Sequence, residues 1–172
     1  MLPGVRYLIR EKILCLGDDF SIRDEQGRER FLFDGRGFTL LRERIDIRDE
    51  HGAEVGFVRQ KITLIRKAWE IHLRGRHVAT VSKDILTLFR CAFTVDVPGP
   101  DDYEAQGGFL DHDYTFRRRG QVVATVSKKW LSIRDTYAVD IEDGQDDLLI
   151  LASAVVIDQI CHDADGNSAH QP

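Results

Sequence analysis

Asp111-His112-Asp113 is the one place in this chain where an imidazole sits directly between carboxylates. That pairing serves proton transfer and metal ligation elsewhere. Here it stands alone. The other histidines, His51, His72, His77, His162 and His170, supply no second ligand at metal-binding spacing. A working site needs several convergent groups, so the triplet reads as a solvated loop. Asp163-Ala164-Asp165-Gly166-Asn167 has the flavour of a calcium loop. Its glycine comes too early and the closing Glu is missing, so it reads as tail. No glycine-rich phosphate loop, nucleophile elbow or HExxH motif is present. The expectation is a protein that is not an enzyme and needs no cofactor or metal.

Charge is segregated more clearly than catalytic groups are. Tyr114 to Arg134 contains no acid, whereas Arg117, Arg118, Arg119, Lys128, Lys129 and Arg134 are basic. An earlier stretch is similar, with Arg59, Lys61, Arg66, Lys67, Arg74, Arg76 and Lys83 against Glu70. Acids collect at Asp18-Asp19, Asp101-Asp102 and across 140–147. A basic face can read anionic lipid at roughly 1 kcal/mol per Lys or Arg near the surface. Arg117, Arg119, Lys128 and Lys129 are the candidate anion-binding residues on this reading. The plainer reading puts the same charges on outer strand faces and hairpin edges, where they deter edge pairing. A net charge of −5 argues against a nucleic-acid binder, and aromatic residues are not interleaved with the bases as a stacking platform requires.

The elements that must carry these residues announce themselves by repetition. Arg74-Gly75-Arg76-His77-Val78-Ala79-Thr80-Val81-Ser82-Lys83 returns as Arg119-Gly120-Gln121-Val122-Val123-Ala124-Thr125-Val126-Ser127-Lys128. Each copy is a tight glycine turn followed by a strand. A looser third copy runs from Gly52 to Lys61. Apolar and polar residues alternate in Phe20-Ser21-Ile22-Arg23, Arg30-Phe31-Leu32-Phe33, Ile45-Asp46-Ile47-Arg48, Trp69-Glu70-Ile71-His72-Leu73-Arg74 and Tyr137-Ala138-Val139-Asp140-Ile141-Glu142. Period-two alternation gives each strand one core face and one wet face. Turn clusters punctuate the runs, with glycine supplying positive φ and Asp bonding its own backbone. The pattern predicts about ten to twelve strands in an antiparallel sheet, closed or nearly so. Residues 96–108 carry Pro98, Pro100 and paired glycines, and read as a long loop with room for a short strand.

One segment breaks the pattern. Asp146-Asp147 precede the apolar run Leu148-Leu149-Ile150-Leu151-Ala152-Ser153-Ala154-Val155-Val156-Ile157. Acids suit a helix N-terminus, and a helix apolar all round must be buried on every side. The apolar core is too short for a span of roughly 20 residues, and Asp158 would add about 2.5–3.5 kcal/mol at mid-bilayer. A barrel of about twelve strands has a wider interior than one of eight, and a helix about 10–12 Å across fills it. The expectation is one domain over residues 1–162, with a central helix near 146–161 and a flexible tail at 163–172. Such a helix occupies the space in which a lipocalin-type barrel holds its ligand.

Composition sets the remaining bounds. A chain of 172 residues with 42% hydrophobic content can bury a core as one globular domain. Cys15, Cys91 and Cys161 are odd in number and far apart, so they read as buried apolar groups in a reducing compartment. Trp69 and Trp130 read as core or barrel-rim packing, with anchoring at a membrane interface as the alternative. No apolar run of signal-peptide type opens the chain, so a cytoplasmic location is expected, with peripheral membrane attachment under the lipid reading.

The run Val122-Val123-Ala124-Thr125-Val126-Ser127-Lys128-Lys129-Trp130, then Asp135-Thr136-Tyr137-Ala138-Val139, then the apolar segment 148–160, resembles the LURP-one-related family. That family belongs to the Tubby C-terminal-like superfamily, which includes the phospholipid scramblases. Tyr7-Leu8-Ile9-Arg10-Glu11-Lys12 and Asp18-Asp19-Phe20-Ser21-Ile22 fit its bacterial members. The resemblance implies a twelve-stranded β-barrel around a central C-terminal helix. Tubby-type relatives bind phosphoinositide headgroups through basic residues, which do not align to particular positions here. The functional expectation is a binding or scaffold module with an unidentified protein partner. The alternative is a peripheral protein that recognises anionic headgroups through its basic hairpins.

Overall fold

The computed structural model describes residues 4–14, 17–35, 44–61, 68–84, 92–128 and 136–166. Twelve strands precede one helix: β1 (Gly4–Leu14), β2 (Gly17–Asp24), β3 (Glu29–Asp34), β4 (Arg44–Asp49), β5 (Glu54–Lys61), β6 (Ala68–Leu73), β7 (Arg76–Lys83), β8 (Ala92–Asp96), β9 (Tyr103–Gly108), β10 (Asp113–Arg118), β11 (Gln121–Ser127), β12 (Thr136–Glu142) and α1 (Asp147–Gly166). Each strand pairs antiparallel with its neighbours in sequence, and β12 closes on β1, from Gly4 opposite Glu142 to Arg10 opposite Thr136. Closure removes every sheet edge, the usual liability of a β protein.

The alternation read from the sequence decides which side chains point inward. Ile45 and Ile47 on β4, Trp69 and Ile71 on β6, and Val139 and Ile141 on β12 are buried, while Asp46, Glu70 and Asp140 between them face out. Apolar inside and charged outside is the reverse of a barrel that spans a membrane. Among the described residues, no helix is long and apolar enough to cross one.

Helix α1 is the filling. Every residue from Leu148 to Cys161 is buried, and Leu151, Ala152, Ala154, Val155 and Val156 have no exposed surface. Val155, Val156 and Ile157 are indifferent helix formers, so the segment owes its helicity to packing against the wall rather than to propensity. Ser153 settles its hydroxyl inside this apolar space by donating to the Leu149 carbonyl at 2.8 Å. The helix runs on to Gly166, beyond the expected end at 161. Ala164 favours continuation, and glycine is a common terminator.

The stretch 96–108, read as a long loop with room for a short strand, contains strand β9. Tyr103 and Ala105 are buried and Glu104 and Gln106 exposed, so the alternation is present but short. Gly107 explains why its glycines do not break the pairing. Its φ is +146, and a Cβ there would lie 2.5 Å from the Asp113 carbonyl oxygen, so close approach of β9 to β10 requires the bare backbone.

The two similar segments become two hairpins of the same design. Leu73 faces Arg76 across β6–β7, and Arg118 faces Gln121 across β10–β11, which leaves two-residue turns Arg74-Gly75 and Arg119-Gly120. All four residues have positive φ, the signature of a type I′ turn. An arginine at the first position costs about 1–2 kcal/mol relative to ordinary backbone. Both hairpins also carry a bulge at the same place, between Ile71 and His72 in one and between Phe116 and Arg117 in the other.

Candidate functional site

The connections divide between the two barrel ends. The hairpins after β2, β4, β6, β8 and β10 share one end with the start of α1, while the turn between β9 and β10 lies at the other end, towards the C-terminal half of α1. This division separates the residues proposed from sequence to bind anions. Arg117 and Arg119 sit at the β10–β11 turn, whereas Lys128 follows β11 at the far end. With a rise of about 3.3 Å per residue, the intervening strand puts roughly 20 Å between Arg119 and Lys128. Lys129 lies outside the described residues, as do Trp130, Cys15 and Cys91. Trp69 is fully buried, and Cys161 is buried near the end of the apolar run.

Arg119 is already occupied. Its Nε donates to Asp101 Oδ1 at 2.6 Å and its Nη2 donates to Oδ2, a two-pronged grip on the carboxylate of the β8–β9 turn. The grip holds the Asp101 carboxyl below the usual carboxylate range. Arg117 is exposed and donates to the Gly120 carbonyl at 3.1 Å, bracing its own turn. Arg118 donates to the Asp101 carbonyl and lies over the Tyr103 ring, 4.9 Å from its centroid.

The acid–imidazole triplet is split by burial. Asp111 and Asp113 are exposed, but His112 is 9% exposed and turns inward from a left-handed backbone, with φ at +49. Its Nε2 donates to Asp158 Oδ1 at 2.7 Å, and its ring stacks on Tyr137 with centroids 4.3 Å apart. Burial first, and then the Asp158 charge, raise the hydroxyls of Tyr137 and Tyr114 well above their ordinary pKa. His112 Nδ1 is buried and has no hydrogen-bond partner among the described residues. Among the described residues, no nucleophile is hydrogen-bonded to this imidazole. The pair instead pins the β9–β10 turn to the helix. The sequence signal was Asp158 itself, since a carboxylate that ends a buried apolar run needs a partner.

On the outer wall, Arg44, Phe57, His72 and His77 form a row across β4 to β7. The Arg44 guanidinium lies 3.8 Å from the Phe57 centroid, Phe57 stacks on His72 at 4.6 Å, and His72 meets His77 edge-on at 5.3 Å. Glu70 lies beside the row and draws Arg59 at 2.7 Å and Lys61 at 3.6 Å. Burial pushes its carboxyl up, but the hydrogen bonds from Arg59 and His72 and the charges of Arg59 and Lys61 outweigh that and bring it down to about 2. These rings and charges satisfy one another, and Phe57 lies between Arg44 and His72. Among the described residues, no cluster of three or more His, Cys, Asp or Glu forms a metal site.

Two of the surface hollows are lined by described residues. One, of about 420 Å³, runs along the wall between β1, β11 and β12, past Val5, Val122, Thr125 and the Arg6–Asp140 pair. The other, of about 350 Å³, opens beside the β6–β7 turn and the start of α1.

Comparison with known proteins identifies a family. A model of the LURP-one-related family matches residues 5–158. The chain is also similar to the uncharacterized protein YxjI of Bacillus subtilis (strain 168), at 26% identity over 164 residues, which span 95% of this chain and 98% of that protein. No solved structure matches. A barrel of twelve strands closed around a C-terminal helix, together with a family match over nearly its whole length, places the chain in the LURP-one-related family.

Proposed function

We propose that the chain is a non-catalytic binding or scaffold module that acts in the cytoplasm. One observation carries this reading: the helix occupies the barrel interior, so whatever the protein binds is met at its surface. The chemistry available points the same way. The buried His112–Asp158 pair ties a turn to the helix, and Arg6, Arg44, Arg59 and Arg119 are each paired with a carboxylate of the chain. Cross-linking of the purified protein in soluble cell extract tests the reading. It predicts saturable cross-links to a partner that fall on one face and are competed away by excess unlabelled protein. Cross-links scattered over all faces and insensitive to competitor contradict it.

Recognition of anionic headgroups is the second reading. Its support lies in the basic hairpins, but Arg117 and Arg119 are far from Lys128, and Arg119 already holds Asp101. Co-sedimentation with neutral and anionic liposomes at low and physiological salt separates the two. Salt-sensitive binding to anionic vesicles alone favours headgroup recognition, and no sedimentation with either favours a protein partner.

A further inference from the structure

The hollow beside the β6–β7 turn is lined by Leu73, Arg74, Arg76, Val78, Asp146 and Leu148. Leu73, Val78 and Leu148 make an apolar floor, of which Leu73 and Leu148 are largely buried. Arg74 and Arg76 are exposed at its lip, and neither side chain has a hydrogen bond or ion pair among the described residues. The acids nearest in topology are committed elsewhere. Across β5, at the β4–β5 turn, Asp49 accepts from its own turn amides at His51 and Ala53, and Glu50 is held by Arg30 at 3.4 Å. Asp146 accepts from the Leu149 amide at 3.1 Å and thereby caps α1, so the helix start is already satisfied and contributes no anion site.

The twin hairpin shows what an arginine in this position does. Arg119 has the same place in the same turn as Arg74, with φ at +52 against +50. It grips both oxygens of the Asp101 carboxylate. Arg74 has the same reach and the same strained backbone, but among the described residues no carboxylate is bonded to it. The guanidinium fork fits a carboxylate or a phosphate with two parallel bonds. Two arginines against one aspartate leave the lip positive, and the floor beneath it is apolar.

We propose that this hollow binds a small organic anion, a carboxylate or phosphate monoester on a short apolar body, with the charged group on Arg74 and Arg76 and the body on Leu73, Val78 and Leu148. A volume of about 350 Å³ is at the lower end of the range for small-ligand sites. The proposal goes beyond the module reading, which stands or falls on partner cross-linking and is untouched by failure here.

The test is NMR titration of the full chain with octanoate and with octyl phosphate, both below micelle-forming concentrations, and with octanol as the uncharged control. Saturable shifts of the amides at 73–78 and 146–149 are expected with at least one anion. Octanol should bind about tenfold more weakly or worse, because it lacks the charge that the fork reads. The double variant Arg74→Gln/Arg76→Gln should lose about tenfold or more in affinity with an unchanged melting temperature, and Arg119→Gln should bind like the parent. The preferred head group distinguishes carboxylate from phosphate. Equal shifts from octanol, parent-like binding by the double variant, or no saturable shift from either anion overturns the proposal. So does binding that occurs on anionic vesicles alone, which would make the ligand a lipid surface.

Discussion

The two ends of α1 are held in opposite ways. At its start, Asp146 caps the first turn with its own side chain, and Asp147 accepts a hydrogen bond from Tyr7 at 2.8 Å in a half-buried setting. Burial first, and then this bond, push the Tyr7 hydroxyl up to about 12. Near its other end, Asp158 is buried and meets His112, which reaches in from a turn 46 residues away in sequence. The first end is secured locally and next to water, which offers substitute partners to any group that loses its own. The second is secured over a long distance in a dry space, where a lost partner leaves a polar group stranded. The contrast teaches that equal-looking hydrogen bonds in this barrel differ in worth by their access to water.

The most severe way to probe the contrast is to place a charge midway between the ends. Ala154 has no exposed surface, so Ala154→Asp should unfold the domain, since an uncompensated interior carboxylate consumes much of a typical stability of about 5–15 kcal/mol. Circular dichroism melts check this. Asp158→Ala comes next, with an expected loss of about 1–3 kcal/mol in urea unfolding because the buried His112 N–H is left without its acceptor. Asp146→Ala should cost about 1 kcal/mol, the ordinary value of a solvent-accessible cap. If the Asp158 and Asp146 variants cost the same, the distinction between the ends fails.

The smallest effect lies on the outer wall and appears only in acid. Glu70 has its folded-state carboxyl at about 2 against an ordinary 4.5, so its contribution is fully present above pH 4.5 and is lost as pH falls towards 2. Glu70→Gln should remove that acid-sensitive increment from the stability–pH curve. A variant curve parallel to the parent's through this window would show that the Arg59 and Lys61 contacts carry no linkage.

How much of this was legible in the sequence follows the same division. Strand faces were readable because alternation is local: Ile45, Ile47, Val139 and Ile141 point inward as their spacing predicts. The helix was readable from an apolar run that begins after two acids. Strand β9 was legible only as a short strand within a loop, because Gly107 and Gly108 mark turns as a rule, and the use of Gly107 for close strand approach depends on β10. His112 looked like loop because its sequence neighbours are acids, and its true neighbour is on the helix. The basic hairpins were visible as composition, but whether an arginine meets a carboxylate, as Arg119 does, depends on the neighbouring turn.

The central claim is that α1 lies inside the barrel and is held there by packing. Native-state hydrogen exchange of its amides from 150 to 160 tests this most directly. Protection at the level of global unfolding, matching the inward-facing strand amides, is the predicted result. Exchange of those amides at a far lower free energy than the strands would mean that the helix leaves the barrel while the sheet stays closed, and would contradict the account.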